Sequence, residues 1–186
     1  SYVEENRMRF DFTFSRAMKP EEIVKTENLM NKWIGEGYNV ETKVMGIKEA
    51  EMTGATALFG EKYGDTVRVV SIQKETPNSI DCISKEFCAG THARQLIDLR
   101  LAKIISESAI AAGTRRIEAV VSKAAIEYLN AKSTEIDKLS TKFKSHFDEV
   151  VERVEKLSDE NRELQKHIEK LEEENARNKF ASFISK

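Results

Sequence analysis

The 186-residue chain holds two cysteines and three histidines, and one of each falls in a single short run, Glu86-Phe-Cys-Ala-Gly-Thr-His92. Cys88 and His92 are separated by three residues, with an Ala89-Gly90 turn that lets both side chains face one point. A thiolate and an imidazole so placed are good ligands for a borderline divalent metal. Zinc is the usual one, and it takes four ligands, or three and a water. The same spacing also fits a buried thiol beside an unrelated imidazole. Nucleophilic Cys–His catalysis would need a third orienting group that the sequence does not identify. As zinc ligands, the two leave a site incomplete. His146 and His167 do not complete it, because both fall on a predicted coiled coil at solvated positions.

A second chemical feature is basic. Arg115 and Arg116 follow "AIAAG" and open a predicted strand, and with Arg94, Arg100 and Lys103 they could form a strip beside the Cys88 loop. Such clusters contact phosphates. Neighbours on a strand point to opposite faces, so at most one of Arg115 and Arg116 faces a shared ligand.

The elements that must position these residues are legible from periodicity. Arg7 to Phe14 alternates polar residues with Met8, Phe10, Phe12 and Phe14, the pattern of a half-buried strand. Pro20-Glu-Glu opens a helix whose buried face is Ile23, Leu29, Met30, Trp33 and Ile34, with Gly35 and Gly37 as its stop. Val40 to Ile47 reads as a strand, and Lys48 to Met52 as a short helix ended by Gly54. "LFGEKYGD", within Ala55 to Asp65, reads as a tight loop before a strand from Thr66 to Ile72. After Pro77 the chain passes through the Cys88 loop to two strand-like runs, near Leu101–Ser106 and Arg115–Val121. Strands and short helices without regular βαβ spacing indicate an α+β domain with a small mixed sheet over 1–121.

From Ser122 onward there is neither Gly nor Pro, and a heptad can be counted. Ile136, Phe143, Val150, Leu157, Leu164 and Leu171 fall at d; Phe147, Val154, Asn161, Ile168 and Asn175 fall at a, with Ser140 the weak position. This predicts a long coiled-coil helix over 122–186, with Asn at a favouring a two-stranded register. A homodimer through that seam is the expectation.

Bulk composition excludes little else. Apolar residues make up 40% and charged residues 33%, and the net charge is −2. Residues 131–186 carry 12 Lys/Arg and 13 Asp/Glu and the remainder 18 and 19, so each part sits at −1 and exerts no global pull on nucleic acid or membrane. Two cysteines are too few for a disulfide scaffold, and no apolar run reaches the roughly 18 residues of a membrane span. A cytoplasmic protein is expected, without membrane or DNA partners. The chain opens at Ser1 with no Met and runs at once into a strand pattern, as a piece of a larger protein would.

Taken together, "RMRFDF", "EAEMTGATALFGEKYGDTVRVVSI", "EFCAGTH" and "SESAIAAGTRRIEAV" resemble, in order and spacing, the editing domain of the alanyl-tRNA synthetases, followed by that family's coiled-coil segment. The resemblance covers essentially the whole chain. It implies the later part of an editing domain, which hydrolyses tRNA(Ala) mischarged with serine or glycine, and a partner in the tRNA(Ala) acceptor end. It implies zinc held by a CxxxH pair, here Cys88 and His92, and by an HxxxH pair that lies upstream of "RMRFDF" in the family. The site in this chain is then incomplete and the piece alone inactive or nearly so. ATP and Mg belong to an aminoacylation domain outside this chain. Arg115 and Arg116 are the expected RNA contacts. The alternative is a non-catalytic tRNA-docking and dimerisation segment with a degenerate pocket.

Two departures from the family pattern bear on that choice. Ala89 stands where the family usually has the first Gly of Cys-Gly-Gly-Thr-His, which strains the loop if that position needs a positive φ or a close backbone approach. Leu96-Ile-Asp-Leu-Arg100 stands where the family tends to read Thr-Gly-Asp-Ile-Gly, so only Asp98 is kept and both glycines are lost.

Overall fold

The computed structural model describes residues 1–5, 7–57 and 63–184, with side chains to Phe180. The centre of the loop predicted between Ala55 and Asp65 therefore lies outside the described residues. The chain divides into two compact units, Ser1–Tyr128 and Leu129–Lys186, and the division falls inside a helix rather than at Ser122.

The first unit is α+β, and its strands divide between two antiparallel sheets. In chain order they are β1 (Tyr2–Val3), β2 (Met8–Thr13), β3 (Asn39–Gly46), β4 (Thr66–Thr76), β5 (Ser79–Phe87), β6 (Ala102–Ala111) and β7 (Thr114–Val121). One sheet has the order β1-β2-β7-β6, the other β3-β4-β5. Helices α1 (Pro20–Glu36) and α2 (Ile47–Met52), a 3-10 turn at Leu96–Leu99 and the start of a third helix at Ser122 belong to the same unit.

The alternation in β2 sets Phe10 opposite Ile117 and Asp11 opposite Arg116. Phe10 and Phe12 stack with ring centroids 6.1 Å apart. With Met8, Met18, Met30 and Ile117 they line an apolar cleft of about 360 Å³. Gly113 turns β6 into β7 at φ +71°, a conformation that costs other residues dearly.

At the start of α1, Pro20 occupies the first turn, where its missing N–H costs nothing. The Glu22 carboxylate accepts from the Lys19 N–H at 2.7 Å and from the Arg16 guanidinium at 2.6 and 2.8 Å. Those bonds, Arg16's first, hold its pKa down to about 2. The helix runs through Gly35 and stops at Gly37, which is left-handed at φ +68°. Leu29, expected on the buried face, is 43% exposed. Two polar residues outside the expected apolar face make contacts of their own. Asn31 donates to the Ala102 carbonyl at 2.9 Å and accepts from the Ala102 N–H at 2.8 Å, while Glu27 accepts from the Ile104 N–H at 2.9 Å and pairs with Lys103 at 2.8 Å. β6 is an edge strand, and α1 caps its free backbone groups.

β4 is the centre of the second sheet; Val67, Val69, Val70 and Ser71 are buried, and Val67 and Val69 pack with Ala50 and Phe87. β5 was not anticipated between Pro77 and Cys88. Its sequence, SIDCISKEF, forms an edge strand with Ile80 59% exposed, so it shows no apolar alternation to read. Pairing with β4 makes it a strand.

The predicted continuous helix is two helices, α3 (Ser122–Phe143) and α4 (Val150–Ile184). α3 ends in a Schellman turn: Lys144 is left-handed at φ +49°, the Lys144 N–H donates to Thr141 O at 3.3 Å and the Ser145 N–H to Ser140 O at 3.1 Å. Glycine usually marks such a stop, and its absence hid this one. His146 then opens a 3-10 turn, Phe147–Glu149, with Nδ1 2.7 Å from Asp148 Oδ1. It is a cap rather than a mid-helix residue. Along α4 the seam residues Val154, Leu157, Leu164, Ile168 and Leu171 are 44–61% exposed, whereas Val150 at the corner is buried. No helix among the described residues is long and apolar enough to cross a membrane.

Candidate metal centre

Cys88 leaves the end of β5 directly after the buried Phe87. Its N–H donates to the Arg68 carbonyl on β4 at 3.0 Å. The Arg68 guanidinium reaches the same turn, donating from Nη1 to Gly90 O at 2.6 Å and to Ala89 O at 3.2 Å. One residue thus holds both ends of the turn. The result brings His92 Nε2 to 3.3 Å from Cys88 Sγ.

This separation suits a shared metal. Zinc–sulfur and zinc–nitrogen bonds at a tetrahedral angle place the two donors about 3.6 Å apart. Gly90 lies against the pair: a Cβ there would sit 3.5 Å from Sγ and 3.7 Å from Nε2, so its absence leaves the space beside both donors open. Ala89 is not at positive φ, so strain of that kind does not arise there. Among the described residues no third His, Cys, Asp or Glu joins the two donors. The geometry fits half of a zinc site.

After His92 the chain docks on β3. Val40 N–H donates to Arg94 O at 2.9 Å, and Leu96 N–H to Tyr38 O at 2.8 Å. Tyr38 is buried, and its hydroxyl donates to Asp81, which raises its pKa well above the usual phenol value. The 3-10 turn ends at Arg100, with φ +58° and ψ −62° and a Leu101 N–H to Leu99 O bond of 2.6 Å. This is the strained form of the γ-turn, mirror image of the common one. A non-glycine residue there costs about 1–3 kcal/mol. It stands where the resembling family carries its second glycine.

The basic strip does not assemble as a set. Arg115 makes a two-bond pair with Glu107, the two side chains being 14% and 6% exposed. Arg116 pairs with Asp11 at 2.7 and 2.9 Å on the opposite face, as strand alternation requires. Hydrogen bonds from these guanidiniums hold both carboxylates below their usual range. Lys103 is taken by Glu27. Arg68, absent from the sequence reading, has no motif to mark it; only the β4–β5 pairing shows what it touches.

Residues 67–118 match the family described as "Threonyl and Alanyl tRNA synthetase second additional domain". The match runs from β4 through the Cys88 turn into β7 and so contains both metal-type donors. The chloroplastic/mitochondrial alanine–tRNA ligase of Populus trichocarpa is 42% identical over 186 residues, covering 100% of this chain and 18% of that protein. The chain belongs to the alanine–tRNA ligase family. Alanine–tRNA ligases of a Synechococcus strain (44% identical over 91% of this chain and 18% of that protein) and a Synechocystis strain (39% over 100% and 20%) agree. The chain thus spans 18–20% of the length of these curated relatives.

Within this alanine–tRNA ligase segment, Arg68 is the residue that shapes the Cys88 turn. Arg68→Ala is expected to cost about 1–2 kcal/mol through the two lost charge-assisted bonds, read from urea midpoints. Arg68→Lys should recover part of it, since an ammonium can reach one carbonyl; equal midpoints for all three proteins would refute the role.

Proposed function

We propose that this chain is the part of an alanine–tRNA ligase that, in the intact enzyme, removes serine or glycine mischarged onto tRNA(Ala). The observation carrying this reading is the 3.3 Å approach of Cys88 Sγ and His92 Nε2 inside the matched domain. A pocket that admits alanine rejects glycine only by lost contacts and serine only by one hydroxyl, so a second, hydrolytic site is useful. Cys88 and His92 would supply two zinc ligands, the others coming from an HxxxH segment outside this chain. Zinc, when bound, supplies a Lewis acid or an activated water. Cys88 would meet it as a thiolate, Arg68 would keep the turn in shape, and Gly90 would leave room at the donors. ATP and Mg would serve an aminoacylation domain elsewhere in the enzyme. The partners would be the tRNA(Ala) acceptor end and a second copy through the seam of α4, in the cytoplasm. Arg115 and Arg116 would contact RNA only by leaving Glu107 and Asp11.

Zinc measured on this chain, purified without chelator, is expected near zero. About one zinc per two chains would assign a dimer that pools two Cys–His pairs, and one per chain would overturn the two-donor reading. In the intact ligase, Cys88→Ala or His92→Ala should cut Ser-tRNA(Ala) hydrolysis at least ~100-fold and spare alanylation. Unchanged hydrolysis would sink the editing reading.

A second reading, a tRNA-docking and dimerisation segment with a degenerate pocket, is favoured by the Leu96–Arg100 turn. There two family glycines are replaced and the backbone is strained at Arg100. Absence of editing in the intact ligase, with tRNA binding kept, would select it.

A further inference from the structure

The structure sorts the five cations of the strip expected beside the Cys88–His92 turn. Lys103, Arg115 and Arg116 are each paired with a carboxylate. Arg94 and Arg100 are exposed and, among the described residues, make no ion pair or side-chain hydrogen bond. Both backbones are nonetheless pinned. Arg94 O accepts from Val40, and its neighbour Gln95 bridges to Asn39. Arg100 N–H donates to Ile97 O at 3.0 Å, and Leu101 O accepts from Ser122 at 2.9 Å.

Arg100 carries the argument. Its anchored flanks force it into a γ-turn that glycine would adopt without cost. An arginine there keeps a backbone strain in exchange for a guanidinium, and local strain kept in this way is typical of functional positions. The guanidinium's fork of five donors suits phosphate oxygens. Arg94 and Arg100 flank one 3-10 turn, the first only two residues beyond His92. We propose that Arg94 and Arg100, rather than Arg115 and Arg116, are this segment's contacts to the phosphodiester backbone of the tRNA acceptor strand. The proposal rests on the tRNA reading given above.

The test is tRNA(Ala) binding by the chain, followed by anisotropy over a series of salt concentrations, with Arg94→Gln, Arg100→Gly, Arg100→Lys and Arg116→Gln. Each lost phosphate contact lowers the slope of log K against log salt by about 0.7–0.9. Arg94→Gln and Arg100→Gly should each show that loss, with affinity about 3–10-fold weaker at low salt. Arg100→Lys should keep the slope, and Arg116→Gln should leave it unchanged. Arg100→Gly should also melt about 2–4 °C higher, so that stability and binding move in opposite directions. Arg100→Gly that binds tRNA with the full slope overturns the proposal, as does a slope lost on Arg116→Gln. No binding by the unaltered chain would bring down the tRNA reading itself, a failure distinct from either.

Discussion

Asn31→Ala is expected to destabilise the first unit by about 2–4 kcal/mol. Its amide closes a two-way bond with Ala102, donating to the carbonyl at 2.9 Å and accepting from the N–H at 2.8 Å. Ala102 is 1% exposed, so both bonds lie largely out of water. Truncation leaves two buried backbone groups unpaired, each costing about 1–3 kcal/mol. Asn31→Asp keeps the acceptor but turns a carboxylate oxygen toward the Ala102 carbonyl, and should fare no better. Leu29→Ala, at a 43% exposed position of the same helix, is the control and should cost less than about 1 kcal/mol. Urea midpoints for the three variants decide the matter. An Asn31→Ala loss no larger than that of Leu29→Ala would mean that β6 does not depend on its helical cap.

The second large effect concerns α4. The chain is expected to sediment as a dimer at micromolar concentration, and Leu164→Asp with Leu171→Asp to make it monomeric. Both residues are at d and are 61% and 50% exposed, a seam that two-stranded pairing would cover. A parallel pair would set Asn161 against Asn161 and Asn175 against Asn175 at a. It would also set Glu160 against Gln165, His167 against Glu172 and Glu174 against Lys179 across the g and e flanks, with no like charges opposed. Each aspartate would put two carboxylates in the seam, one per helix. At several kcal/mol for each site, the pair should raise the dimer Kd by a factor of a thousand or more. The first unit should unfold at the same urea concentration as before. A monomer for the unaltered chain at 100 μM would refute the dimer.

How much of this was legible beforehand varies by feature. Features written in short-range pattern were. The alternation of Met8, Phe10 and Phe12 is β2, Pro20 to Gly37 brackets α1, and the Cys88-x-x-x-His92 spacing does bring its two donors within 3.3 Å. Each depends on residues a few positions apart, whose relative directions the backbone period already sets.

What the tertiary structure alone decided involves partners far apart in the chain. Glu27 and Asn31 gain their role only from β6, more than 70 residues on, which supplies the backbone groups they cap. Arg115 and Arg116 looked like free cations, and Arg116's carboxylate comes from 105 residues upstream. β5 became a strand through β4, and Arg68 became the brace of the Cys88 turn by the same pairing. At Lys144 and Arg100 the backbone takes a conformation that residue type argues against, because the flanking hydrogen bonds outweigh the local preference. The sequence by itself determined β2, α1, the Cys–His pair and the apolar seam, since those follow from local period and spacing. Which charges are paired within the fold was settled only when distant segments met, because an ion pair depends on distance in space.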